Sequence, residues 1–236
     1  IKETGFDGVF LWYDENGIDE LVTKVKALDL KIETFHLPYE NCNHLWIDDE
    51  LGENYVNNII KGVHAAAYYQ VKTVIMHNMS GHNAPLPNEI GLKRINKILD
   101  SCVELDINLA IENVRDIKYT NYIFDNITHP KLKMCLDFGH THAFNYHIDD
   151  VDFNKLGKFI TCVHISDNHG NGDEHLLPFA GNINYQRILR ELKKLDFRGP
   201  LTSEAHWHNL MPEDEFIPLV YVALTKLEKI YGEIND

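Results

Sequence analysis

What most restricts the fold of this chain is a regular alternation of two hydrophobic patterns along its whole length. Short apolar runs fall at residues 8–13, 31–37, 71–76, 107–111, 132–136, 160–165 and 200–203. Between them, at 18–28, 49–69, 89–105, 117–126, 185–195 and 213–231, apolar residues recur at helical spacing, and a helical turn is expected near 152–156. In the first such segment Ile18, Leu21, Val22, Val25 and Leu28 share one helix face. Strand followed by helix, repeated without linker, low-complexity tract or break in composition, predicts a parallel sheet with helical crossovers.

Seven such units in 236 residues favour a (β/α) barrel over an open doubly wound sheet. A single domain over 1–236 is expected, long enough to bury a sizeable core. A barrel of this kind has eight strands, whereas residues 1–4 read as the tail of a helix capped by Gly5. The expectation is an α/β (β/α)8 TIM barrel lacking its first strand in this chain. That strand would lie upstream of Ile1, and its loss would leave a seam of unpaired edges.

Composition removes several classes of function. Against 36 Asp and Glu stand 22 Lys and Arg, a formal charge of −14. Such a balance repels polyanions and argues against a broad phosphate-binding surface. No run approaches the ~18 apolar residues of a membrane span, and the N-terminus is not signal-like. No G-x-G-x-x-G follows a strand and there is no Walker A motif, so nucleotide binding has no support. Cys42, Cys102, Cys135 and Cys162 form no C-x-x-C pair and read as reduced thiols of a cytoplasmic protein, with Cys135 and Cys162 in the core. The partner expected is a small molecule, not a membrane or a nucleic acid; self-association into a homo-oligomer stays open.

Histidine is the compositional oddity, at 14 residues. Three sit where an apolar run ends, His36, His77 and His164, joined by the carboxylates Glu112, Asp137 and Glu204. Reading back two residues at a time gives the rest of each face: Thr34 and Ile32, Ile75 and Thr73, Ala110 and Asn108, Cys135, Cys162 and Ile160, Thr202. These are mostly small or apolar, as a barrel interior requires. Each of these six strands thus ends on one polar group, and in a barrel all such positions meet at one mouth. After His164 the stretch 163–185 adds Asp167, His169, Asp173 and His175 within a dozen residues, then Pro178, Gly181 and Asn182 in a loop before a helix.

Singly, each of these groups has an ordinary explanation. A strand-end histidine is more often a hydrogen-bonded structural residue, a lone carboxylate more often a cap or an ion-pair partner, and Asp173 and His175 could be a solvated loop. His64, His129 and His147 have no strand-end placement and are assigned no role. Six strands ending alike are harder to dismiss. Glu112, Asp137, His164 and Glu204 make the best ligand set: three carboxylates and an imidazole suit Mn, Mg, Co or Zn and leave room for substrate oxygens. Two glutamates across one metal could act as acid and base on opposite faces of a sugar. The ion would polarise a carbonyl and ease removal of the adjacent proton.

The segments GFDGVFLW, HLPY at His36, AIENV around Glu112, CLDFGH around Asp137, HISD at His164, DEHLLPFAGNINY from Asp173 and SEAH at Glu204 together resemble the xylose isomerase-like barrel superfamily. That superfamily includes sugar phosphate isomerases and epimerases and endonuclease IV. In its epimerase branch the resemblance implies one metal on Glu112, Asp137, His164 and Glu204. Glu112 and Glu204 then exchange protons with the substrate, and His140 contacts a substrate oxygen. In its endonuclease IV branch it implies three zincs on nine positions, matched here by His36, His77, Glu112, Asp137, His140, His164, Asp173, His175 and Glu204.

The acidic balance and the lack of a basic cluster favour the sugar branch. So does the loop HLLPFAGNINY, which resembles H-L-P-P-G-x-G-x-I-D-W and departs from it at Phe179 and Ala180. The expected function is a metal-dependent isomerase or epimerase of a sugar or sugar phosphate, with Glu112 and Glu204 catalytic. His36, His77, His140, Asp173 and His175 would bind substrate or hold further metals. Trp12, Trp46 and Trp207 are candidate walls for a sugar ring or else core. The alternatives are a zinc phosphodiesterase on abasic DNA, an inosose-type dehydratase, and a non-catalytic sugar-binding relative.

Overall fold

The computed structural model describes residues 1–144, 146–208 and 211–234. Its elements follow the predicted order. The strands are β1 (Gly8–Trp12), β2 (Lys31–His36), β3 (Thr73–His77), β4 (Asn108–Glu112), β5 (Leu132–Asp137), β6 (Ile160–Ile165) and β7 (Thr202–Ser203). The helices are α1 (Ile18–Ala27), α2 (Glu50–Tyr69), α3 (Glu89–Glu104), α4 (Ile117–Asn126), α5 (His140–Ala143), α6 (Phe153–Leu156), α7 (Tyr185–Lys194) and α8 (Glu213–Glu233). The chain forms two compact units, one of Asp7–Met134 and one of Ile1–Phe6 with Cys135–Asp236.

In the unit Asp7–Met134, β1, β2, β3 and β4 pair in sequence order and in parallel. Strands β3 and β4 are in straight register from Thr73↔Asn108 to His77↔Glu112. One face of the sheet carries the row His36, Ile75, Ala110, as period-2 reading of the sequence requires. The other face, with Phe35, Val74, Met76, Leu109 and Ile111, is fully buried. It faces helix residues such as Val56, Ile59, Val63, Ile95, Ile98 and Leu99, also at 0% exposure. A sheet covered on both faces needs near-continuous apolar runs, which is what the sequence supplied.

Helix starts are set by side-chain caps. Asp49 accepts from Gly52 N, Asn88 from Ile90 N and Gly91 N, Asp116 from Lys118 N, and Asn184 from Arg187 N. Helix ends hand over to strands through left-handed residues, Asp29, Gln70, Asp106 and Asp196, with φ between 52° and 64°. Arg94, on α3, is 4% exposed. Its guanidinium donates to the carbonyls of His44, Leu45, Ile47 and Asp49 and to the Glu53 carboxylate. That fixes the short 3-10 turn Cys42–Trp46, which sequence periodicity did not reveal. Gly91 makes room for Trp46: a Cβ there would sit 2.0 Å from the indole.

In the other unit β5, β6 and β7 are neighbours in that order, and β6 and β7 are parallel. Helices α7 and α8 pack against each other, with Leu189, Leu192 and Leu227 at 0% exposure. Strand β7 is shorter than expected, Thr202–Ser203 instead of 200–203. Pro200 has no N–H to give to a ladder. All four cysteines are buried and free, in line with the sequence reading. Among the described residues no helix is long and apolar enough to cross a membrane.

Candidate metal and substrate site

The unit Asp7–Met134 brings together His36, His77 and Glu112, the last residues of β2, β3 and β4. Glu112 Oε2 lies 2.9 Å from His77 Nε2 and 3.2 Å from His36 Nε2, and the two imidazole nitrogens are 3.2 Å apart. His36 Nδ1 is 3.0 Å from the Leu37 carbonyl. A carbonyl only accepts, so Nδ1 carries the proton, and a neutral His36 turns its Nε2 lone pair toward Glu112 and His77. Three electron-rich atoms at this spacing need positive charge among them, a proton or a metal ion, because Glu112 and His36 are both 0% exposed. The imidazoles are roofed by aromatic rings. Trp12 lies over His36 at 3.9 Å between centroids, and Tyr39 stacks on His77 at 4.8 Å and 18°.

The other unit gathers Asp137 at the end of β5, His164 on β6, Glu204 just past β7, and His140, Asp173 and His175 from the connecting segments. Glu204 N donates to Ile165 O (2.9 Å), so the residue stays tied to β6 after the strand ends. Its Oε2 is 3.4 Å from His164 Nδ1 and 3.9 Å from His175 Nδ1. Asp137 Oδ1 accepts from His140 N at 2.6 Å. Asp173 Oδ2 is 3.2 Å from both His140 Nε2 and His175 Nε2, and His175 Nδ1 donates to Glu204 O at 3.0 Å.

Electrostatics sharpen this second cluster. Burial alone would raise the Asp173 carboxyl, but hydrogen bonds and charge from His140 and His175 hold it well below the usual carboxylate range. Burial opposes protonation of His175, yet Asp173, Glu204 and Asp137 outweigh it and lift the imidazole to about 9. Asp173 Oδ1 is buried and has no hydrogen-bond partner among the described residues. His140, Asp173 and His175 present donor atoms within 4.8 Å of one another. An anionic oxygen with unused lone pairs beside two imidazoles fits a divalent cation.

Some candidates resolve differently. Asp167 anchors the loop: its carboxylate accepts from the amides of Asn168 (2.8 Å), Phe179 (2.9 Å) and Ile183 (3.1 Å). Its backbone bridges Leu176 in both directions. Gly181 is required beside it, since a Cβ there would come within 2.4 Å of Asp167 Oδ1 and the Asn168 carbonyl. Phe179, one of the two departures from the loop pattern, holds φ 73°, a conformation that suits glycine. Its ring lies under Lys226 Nζ at 3.7 Å and 5.1 Å from the Tyr185 ring. His169 is exposed and pairs with Glu174.

Trp46 is core, its Nε1 donating to Asn78 O. Trp207 donates to Met211 O from an exposed position. His64 and His147 are exposed and His129 accepts from Lys131 N, ordinary surface roles. Sequence reasoning passed over Tyr39 and also His206, whose ring stacks on His175 at 4.1 Å and 9°. Burial, then the neighbouring His175 charge, pushes the His206 imidazole down. The first histidine of the H-x-H run His206–His208, two residues after Glu204, was the available signal.

Comparison with known proteins gives the geometry a context. Residues 1–220 match the family model described as xylose isomerase-like TIM barrel. The structure of a D-tagatose 3-epimerase-like protein is 19% identical, with a TM-score of 0.79 over 99% of this chain and 92% of that one. That of 3-keto-D-glucoside 4-epimerase from E. coli is 17% identical, with a TM-score of 0.76 over 96% and 91%. A xylose isomerase-like TIM barrel protein from Mycobacterium smegmatis, in complex with magnesium, is 14% identical, with a TM-score of 0.72 over 98% and 85%. At such identities the likeness is one of fold, an α/β TIM barrel, as the strand–helix alternation predicted. The chain spans about half the length of the curated relatives it matches: 45% of an uncharacterised protein of Sinorhizobium fredii and 42% of one of Methanocaldococcus jannaschii.

Proposed function

The chain belongs to the xylose isomerase-like TIM barrel family, and on that footing we propose that it is a metal-dependent isomerase or epimerase of a small sugar or polyol ketone. The observation that carries this reading is the pair of buried glutamates at strand ends. Glu112 is 0% exposed and gripped by His36 and His77; Glu204 is 6% exposed beside His164 and His175. Buried carboxylates whose described charge partners are imidazoles suit proton exchange or metal ligation better than structural ion pairing. Support also comes from the solved relatives, which include proteins described as sugar epimerases and one as a magnesium complex.

In this reading Glu112, Asp137, His164 and Glu204 hold one divalent ion. The ion supplies a Lewis acid for a substrate carbonyl, which acidifies the neighbouring C–H. Glu112 and Glu204 move the proton: one carboxylate takes it from one face of the carbon and the other returns it from the opposite face. His36 and His77, with Nε2 atoms 3.2 and 2.9 Å from Glu112 Oε2, fix the position of that oxygen. His140, with Asp173 and His175, orients substrate oxygens.

The test is solvent exchange. Metal-loaded protein is incubated with D-tagatose, D-fructose and D-psicose in D2O, and deuterium at the carbon beside the carbonyl is read by NMR. Exchange should occur and should fall by at least ~100-fold in Glu204→Gln, the usual scale for a removed acid–base group. Near-normal exchange in that variant removes Glu204 from the mechanism.

A second reading, a three-metal phosphodiesterase on abasic DNA, is favoured by one observation. Beyond the four proposed ligands, His36 and His77 share Glu112, and His140, Asp173 and His175 form a group of their own. Three metals per chain together with nicking of abasic duplex would establish it over the sugar reading.

A further inference from the structure

Beside the His36–His77–Glu112 cluster lies a cleft of about 450 Å³, within the size range of small-molecule sites. Its floor is the Trp12–Tyr39 pair, with ring centroids 6.0 Å apart. Each ring covers an imidazole with one side, yet Trp12 remains 42% and Tyr39 39% exposed. Two large aromatic side chains lying together on the candidate site and still open to solvent leave apolar surface that a ligand would cover.

The polar rim narrows the occupant. It comes from Asp14 and Asn16 after β1, Glu40 after β2 and Asn58 on α2. The rim's lysine, Lys61, already donates to Glu15 at 2.9 Å. Carboxylates and carboxamides around an aromatic floor match vicinal hydroxyls above and C–H groups below. The same carboxylates repel a phosphate.

We propose that this cleft is a subsite for a second, unphosphorylated sugar ring, so that the substrate is a glycoside or disaccharide whose reacting ring lies against Glu112. The inference rests on the sugar-enzyme reading above and goes beyond it in naming the substrate's length and charge. Trp12 and Tyr39 are binding residues for the non-reacting ring, and Asn16, Glu40 and Asn58 its hydroxyl partners.

The experiment is calorimetric titration of the metal-loaded full chain. Cellobiose, maltose and turanose are compared with D-glucose and D-fructose and with the 6-phosphates of those two monosaccharides. At least one disaccharide should bind roughly tenfold more tightly than its component monosaccharides, about 1.4 kcal/mol, and the phosphates should bind more weakly than the free sugars. The disaccharide advantage should disappear in Trp12→Ala and in Tyr39→Ala, both exposed positions that tolerate truncation. Monosaccharide binding without a disaccharide advantage, an advantage that survives in both variants, or tighter binding of the phosphates overturns the subsite alone. Failure of every sugar to bind removes the parent reading and the subsite with it.

Discussion

Asp167→Ala tests how the loop carrying Asp173 and His175 is held. Asp167 is fully buried, and its carboxylate accepts three backbone amides, from Asn168, Phe179 and Ile183. Alanine removes all three acceptors and leaves the donors behind. The Asn168 amide is buried, whereas the Phe179 and Ile183 bonds are partly exposed, so water can replace part of what they lose. At about 1–3 kcal/mol for each donor stranded, with the two wetter ones at the low end, the total is about 3–5 kcal/mol. That is a large share of the ~5–15 kcal/mol by which a domain is stable. Asp167→Asn keeps one oxygen for the Asn168 and Ile183 amides and turns an NH2 toward Phe179 N–H, so it should cost about 1–3 kcal/mol. Urea unfolding gives the stabilities, and hydrogen exchange at the Phe179 and Ile183 amides gives the local effect. Asp167→Ala within about 1 kcal/mol of the parent, with those amides still protected, would refute the assignment.

Other expectations follow from the same geometry. Arg94→Met keeps the volume but strands the carbonyls of His44, Leu45, Ile47 and Asp49; a loss of about 3 kcal/mol or more in urea unfolding is expected, and a loss near zero would show those carbonyls to be hydrated. In chelator, stability should depend on His175, whose pKa rises from 6.5 to about 9 on folding. Its contribution is complete below pH 6.5 and is lost as pH climbs through about 9, amounting to ~3 kcal/mol at most. Asp173, held low, stays ionised across that window and does not offset it. Unfolding curves between pH 6 and 10 should lose this slope in His175→Ala.

The sequence displayed the scaffold because its signals are local. Period-2 faces ending on His36, His77 and Glu112 required only that strands alternate, and the registers His36↔Ile75 and His77↔Glu112 agree. The extents of α4 and β6 matched the expected ones, 117–126 and 160–165, because apolar periodicity and a capping Asp116 bound them closely. What stayed hidden depends on partners distant in the chain. Arg94 reads as a solvated helix cation until the 3-10 turn at Cys42–Trp46 closes over it. Asp167 has the residue type and position of a ligand, yet backbone amides up to 16 residues away use its lone pairs. Trp12 and Tyr39 gave no sign of standing over His36 and His77, because such stacking is set by neighbouring strands and their loops.

The central claim, one cation shared by both glutamates, meets its most direct test in crystals grown with Mn or Zn and measured across the metal's absorption edge. The account predicts an anomalous peak bonded to Glu112, Asp137, His164 and Glu204 together, at metal–oxygen distances of about 2.0–2.2 Å. A peak that leaves out either Glu112 or Glu204, or no peak near either, would contradict it.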